Sequence, residues 1–112
     1  MLEITPIQTK EQQKEICELC GIDFNADCLA YSATENGKII GITQFRIFGE
    51  YAVIYDLANA AGIEDKEILI ILEKAALNFI NSCDIKEVIL TNGGKINSEG
   101  YFESPCQQNK HK

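Results

Sequence analysis

A chain of 112 residues with 46% hydrophobic side chains suits one globular domain around a single modest core, and it argues against disorder. Seventeen acidic against ten basic side chains leave a formal charge of −7. With Arg46 as the sole arginine, that balance disfavours nucleic acid, anionic membranes and polyphosphate ligands unless a local basic pocket exists.

The N-terminal MLEITPIQTK has no apolar signal core and no run reaches membrane-spanning length, so the expected location is the cytoplasm. Cys17, Cys20, Cys28, Cys83 and Cys106 are an odd number of cysteines, which favours free thiols over a disulfide framework.

In chain order, Leu2 to Gln8 alternates as a short first strand, with Pro6 marking an edge position or the strand's end. Thr9 and Gln12 have the spacing of a capping box, so a helix is predicted from there to about Cys20, with Gly21 as its stop. Cys28 to Thr34 reads as a strand, Glu35-Asn36-Gly37 as a turn and Lys38 to Phe48 as a second strand of the same meander. Gly49-Glu50 makes another turn. Tyr51 to Asn59 is a third, central strand, because only Asp56 interrupts its apolar run.

The best-defined element is a helix from about Glu64 to Ser82, in which Ile68, Ile71, Leu72, Ala75, Ala76, Phe79 and Ile80 form a wide apolar stripe. Lys86 to Leu90 is a last short strand, and a turn-rich stretch follows. The order β-α-β-β-β-α-β describes an α+β domain with a mainly antiparallel sheet. The helical crossover makes the third meander strand and the last strand parallel neighbours. A ferredoxin-like arrangement is the competing topology. The domain is expected to occupy residues 1–104, with 105–112 as a polar tail.

This order, and the stretch from Asp56 to Leu90 above all, resembles the GNAT superfamily of acyl-CoA-dependent N-acetyltransferases. Asp56-Leu57-Ala58-Asn59 resembles the family's strand ending in D-L-A-V, and Ile85-Lys86-Glu87-Val88-Ile89-Leu90 its I-K-E-V-x-L strand. Between them the family carries R/Q-x-x-G-x-G/A, whose backbone N–H groups hold the coenzyme A pyrophosphate. Here Glu64 stands at the Arg/Gln position, Glu67 at the first Gly and Leu69 at the final Gly or Ala. The chain departs from the family in this loop, and also in its short Gly21 to Asp27 segment and in an early Gly100-Tyr101 turn with too few residues after it for the closing hairpin.

The resemblance implies a truncated GNAT-like fold and two classes of function. One is a non-catalytic module binding a small ligand or a protein, with no cofactor. The other is an acetyl-CoA-dependent N-acyltransferase acting on an amine, in which the pantetheine arm pairs with the backbone of Leu57, Ala58 and Asn59, Asp56 or Glu50 is the base and Tyr101 the acid. The acidic loop tips the expectation to the first.

Each candidate has a plainer role. A buried Asp56 would have a raised pKa suited to a base, whereas one at a strand end would cap a loop or pair with Arg46. Tyr51, Tyr55 and Tyr101 serve equally as ordinary strand or anchor residues. Cys17-x-x-Cys20 lies inside a predicted helix with no second pair and His111 as the sole histidine, so buried apolar thiols are expected and no metal. Asn92-Gly93-Gly94-Lys95 lacks the Walker spacing and reads as a turn. Glu64, Asp65 and Glu67 suit the first turn of a helix through its dipole. An exposed last strand would allow a homodimer.

Overall fold

The computed structural model describes residues 1–91, so Tyr101, the Gly100-Tyr101 turn, Asn92-Gly93-Gly94-Lys95, Cys106, His111 and the 105–112 tail lie outside the described residues. The elements are β1 (Leu2–Pro6), α1 (Lys10–Leu19), β2 (Leu29–Glu35), β3 (Lys38–Ile47), β4 (Tyr51–Asn59), α2 (Lys66–Ser82) and β5 (Glu87–Leu90). They make one sheet of five strands in the order β1-β2-β3-β4-β5. The first three pairings are antiparallel, and β4 with β5 is parallel, as the crossover requires. A sheet in simple sequential order is not the ferredoxin-like arrangement.

Local chemistry sets the element ends. Thr9 caps α1, its Oγ1 accepting from Gln12 N at 3.0 Å, while no reciprocal bond from the Gln12 side chain forms. Asn36 (φ 54°) and Gly37 (φ 83°) supply the left-handed pair that a two-residue hairpin between β2 and β3 needs. The second helix starts at Lys66 rather than Glu64 because Asp65 is its cap.

The two helices cover opposite faces of the sheet. On one, Phe45, Ala52, Ile54 and Val88 pack with Ala76, Leu77 and Ile80 of α2, and Ala33 and Ile40 pack with Ile68 and Leu72 nearer its start. On the other, Ile42 meets Ile16, Cys17 and Cys20 of α1. Two separate core layers explain why this short chain keeps Ile42, Phe45, Ile54, Leu72 and Ile80 fully buried. No helix among the described residues is long and apolar enough to cross a membrane.

Candidate functional site

The site grows from an irregularity in the sheet. Gln44 pairs with Asp56, yet the next pair is Phe45 with Ile54, so Tyr55 is an extra residue bulged out of β4. The bulge reverses the phase of the strand. Below it, the Ile54 carbonyl points to the β5 side, where it accepts from Thr91 N at 2.9 Å. Above it, Ala60 N points to β3 and donates to Ile40 O at 3.0 Å. Strand alternation then turns Asp56 and Ala58 towards β3, and Leu57 and Asn59 towards the β5 side.

On that side the last pairing with β5 among the described residues is Leu90 with Ile54, and Thr91 N donates to Ile54 O just beyond it. From Tyr55 to Asn59, about 16 Å of strand, β4 has no strand partner beyond β3 among the described residues. Leu57 and Asn59 thus turn their backbone N–H and C=O groups to a side where no strand pairs with them among the described residues.

The bulge also turns Asp56 to the α1 face, beside the fully buried Gln44. Gln44 is the hub of that face. Its Nε2 donates to Asp56 Oδ2 at 2.8 Å and to Asp23 O at 2.9 Å. Its Oε1 accepts from Gln13 Nε2 at 2.7 Å, from Asn25 N at 3.1 Å and from the Cys17 thiol at 3.4 Å. One carboxamide therefore ties α1, the 21–28 loop and β4 together, with its polar atoms satisfied. Asp56 is half-buried, and burial raises its pKa; the Gln44 hydrogen bond opposes that, and the charge of Asp23 adds to it.

The other candidates fall elsewhere. Arg46 is bridged to Asp27 at 3.6 Å and lies over the Phe48 ring, so it is not the partner of Asp56. Asp56 also sits inside β4 and not at its end. Glu50 is exposed in the β3–β4 turn, about 20 Å from Asp56 along an extended strand. Tyr51, next to it, stacks on Phe48 at 5.2 Å. Tyr55 is adjacent to Asp56 through the bulge, and its pKa is raised by burial.

Burial pushes the Cys17 and Cys20 thiols up to about 11 and Cys28 to about 12, the behaviour of small apolar groups and not of nucleophiles. No group of three or more metal-ligating side chains occurs among the described residues.

At the start of α2, Asp65 Oδ1 accepts from Glu67 N at 3.1 Å and Ile68 N at 3.4 Å. Asn59 anchors the same turn, its Oδ1 accepting from Asp65 N at 3.1 Å and its Nδ2 donating to Asp65 O at 3.3 Å. The helix terminus beside Asn59 has thus given donors to a carboxylate of its own chain, with Glu64 and Glu67 exposed around it. Replacing Asp65 by alanine should cost about 1 kcal/mol of folding stability, measured by urea unfolding, because it leaves those N–H groups to water.

Two polar side chains on buried faces were not singled out in the sequence. Gln44 is one; it lies two residues after Ile42 in β3 and shares its face, which marks a polar residue on a buried face. Glu73 is the other, a half-buried carboxyl on α2 that burial pushes up to about 7 against the pull of Lys74. Its position in the apolar stripe of that helix was the available signal.

No family model matches the chain, and no curated protein does. Solved structures do, and the fold they share is that of the GNAT acetyltransferases. The IAA acetyltransferase from Bacillus cereus ATCC 14579 superposes with a TM-score of 0.65 at 20% identity, over 80% of this chain and 65% of that one. The paia N-acetyltransferase from Thermoplasma acidophilum, in complex with coenzyme A, gives 0.65 at 17% identity, over 80% and 78%. The ribosomal-protein-alanine N-acetyltransferase from Brucella melitensis biovar Abortus 2308 gives 0.66 at 14% identity, over 88% and 84%. This chain thus spans less than two thirds of the Bacillus cereus enzyme's length. The truncated α+β, mainly antiparallel GNAT-like fold expected from the sequence is the fold observed.

Proposed function

We propose that this domain is a non-catalytic binding module derived from the GNAT fold, one that does not take coenzyme A. The observation that carries the reading is the Asp65 carboxylate on the N–H groups of Glu67 and Ile68. A pyrophosphate needs those donors free and a nearby positive field. Here it would meet Asp65, Glu64 and Glu67 in a chain of formal charge −7, with Lys66 as the one cation of the turn. The pyrophosphate half of a coenzyme A site does not fit these residues.

A second reading, an acetyl-CoA-dependent N-acyltransferase transferring an acetyl group to an amine, draws on a different observation. Leu57 and Asn59 turn backbone groups suited to an amide-bearing chain to a side with no strand partner among the described residues, and burial raises the pKa of Asp56 in the direction a base needs. The Thermoplasma acidophilum and Brucella melitensis structures, one of them with coenzyme A, give that reading its precedent.

Calorimetric titration of acetyl-CoA into the reduced protein at low salt separates the two. No heat and no thermal shift up to millimolar ligand is the expected result. Micromolar binding would overturn the non-catalytic reading and make the acyltransferase the lead, with Asp56→Asn as its first variant.

A further inference from the structure

We infer that Thr43 and Thr91 are the positioning residues of Asp56: their hydroxyls clamp the β4 bulge from its two sides and so hold the carboxylate on the α1 face against Gln44. The inference goes beyond the functional reading and holds whether or not the domain takes coenzyme A.

A bulge interrupts the ladder and leaves backbone groups to be satisfied in other ways. In a regular strand successive carbonyls point to opposite neighbours. Ile54 and Tyr55 break that rule, since both carbonyls lie within reach of one residue, Thr91. Its backbone N donates to Ile54 O at 2.9 Å, and its Oγ1 lies 3.5 Å from Ile54 O and 3.4 Å from Tyr55 O. The next carbonyl, that of Asp56, is met from β3, where Thr43 Oγ1 donates to it at 2.8 Å. The three carbonyls that span the irregularity are thus held by two threonines, one from each side of β4.

Burial makes these hydroxyls informative. Thr43 is fully buried and Thr91 nearly so. Valine would fill either place with the same branching and no hydroxyl to desolvate. A hydroxyl carries one proton, and that of Thr43 goes to Asp56 O at the usual length of a good O–H···O bond. Thr91 reaches its two acceptors at longer range, and holds Ile54 chiefly through its backbone N. Thr43 is therefore the stronger half of the clamp.

What the clamp fixes is the phase of the strand. Ile54 packs with Ala76, Leu77 and Ile80 on the α2 face. In an unbroken strand Asp56, two residues on, would share that apolar face. With Tyr55 bulged, Asp56 turns to α1 and its Oδ2 accepts from Gln44 Nε2 at 2.8 Å. Gln44 in turn holds Asp23 O and Asn25 N, so the bulge, the carboxylate and the 21–28 loop are fastened in one series of bonds.

NMR of the side-chain amide of Gln44 across an acid titration tests this. In the parent its resonances should move as Asp56 titrates, because the carboxylate they touch gains a proton. Thr43→Val should remove most of that movement, Thr91→Val a smaller part, and the double variant all of it. Thr43→Ser keeps the hydroxyl and loses a methyl, so it should lose stability in urea yet keep the Gln44 response. That contrast separates positioning from packing, since a threonine that served only to fill space would tolerate valine better than serine in both measurements. A parent without the response, a full response in Thr43→Val, or a response lost in Thr43→Ser as well would overturn the inference. Thr43→Val alone decides if the double variant does not fold.

Discussion

Replacing Gln44 by leucine should destabilise the domain by about 3 kcal/mol, although the substitution is nearly isosteric and more apolar. Leucine fills the volume but removes an acceptor from Gln13 Nε2 and Asn25 N, and a donor from Asp23 O and Asp56 Oδ2. Gln13 Nε2 retains Asn25 O at 3.2 Å, so its loss is partial. Each remaining buried or half-buried group loses about 1–3 kcal/mol when its partner goes and water cannot replace it.

Urea unfolding measures the sum, and an NMR titration of the Asp56 carboxyl measures the local effect. The hydrogen bond from Gln44 lowers the pKa of Asp56 against a rise caused by burial, so the leucine variant should move it further up. The sign for stability follows. A carboxyl whose folded pKa lies above its unfolded value binds its proton more tightly when folded, so its contribution falls as pH rises from the unfolded to the folded value. The leucine variant should therefore lose stability over a wider span of acidic pH than the parent does. An unchanged Asp56 titration would mean that the carboxamide does not hold the carboxylate.

The sequence made the elements legible where two signals coincided. Tyr51–Asn59 has the boundaries expected from its apolar run and from the Gly49-Glu50 turn. The crossover helix made β4 and β5 parallel neighbours before any register was known. Asp65 shortened the predicted helix by two residues because a capping carboxylate and a first-turn carboxylate read alike in sequence.

The site was less legible because it depends on a bulge. Without the extra residue at Tyr55, the phase of β4 set by its lower half would turn Asp56 with Ile54 to the α2 face and close off the Gln44 contact. Nothing in YAVIYDLAN marks where that residue falls. Asp56 was identifiable as an ionisable group in an apolar strand, but its partner was not: Arg46 offered the opposite charge, and geometry gave Arg46 to Asp27 and Asp56 to a neutral amide. Glu50 joined the candidates through its type and its turn, and an extended strand then holds it away from Asp56.

Replacing Gly41 by valine should cost about 3 kcal/mol, for a reason that also seats α2 on the sheet. Gly41 pairs with Asn59, and its backbone has no positive φ, so conformational freedom is not what glycine provides there. It provides room. A Cβ would lie 3.1 Å from Ala58 O, 3.1 Å from Leu72 Cδ1 and 3.2 Å from Ile68 Cγ2. The γ-methyls of valine would extend that overlap into the first two turns of α2. The helix would have to lift from the sheet, and its start is fastened to Asn59 through Asp65. The strain should therefore be felt at Ile68 and Leu72. Urea unfolding of Gly41→Val, of Leu72→Ala and of the double variant separates the causes. Trimming Leu72 opens space for the valine, so the double variant should be more stable than the sum of the two losses predicts. Strict additivity would place the cost in the fixed contact with the Ala58 carbonyl and leave the seat of α2 unchanged. Favourable coupling would show that the helix rests on the sheet at Gly41.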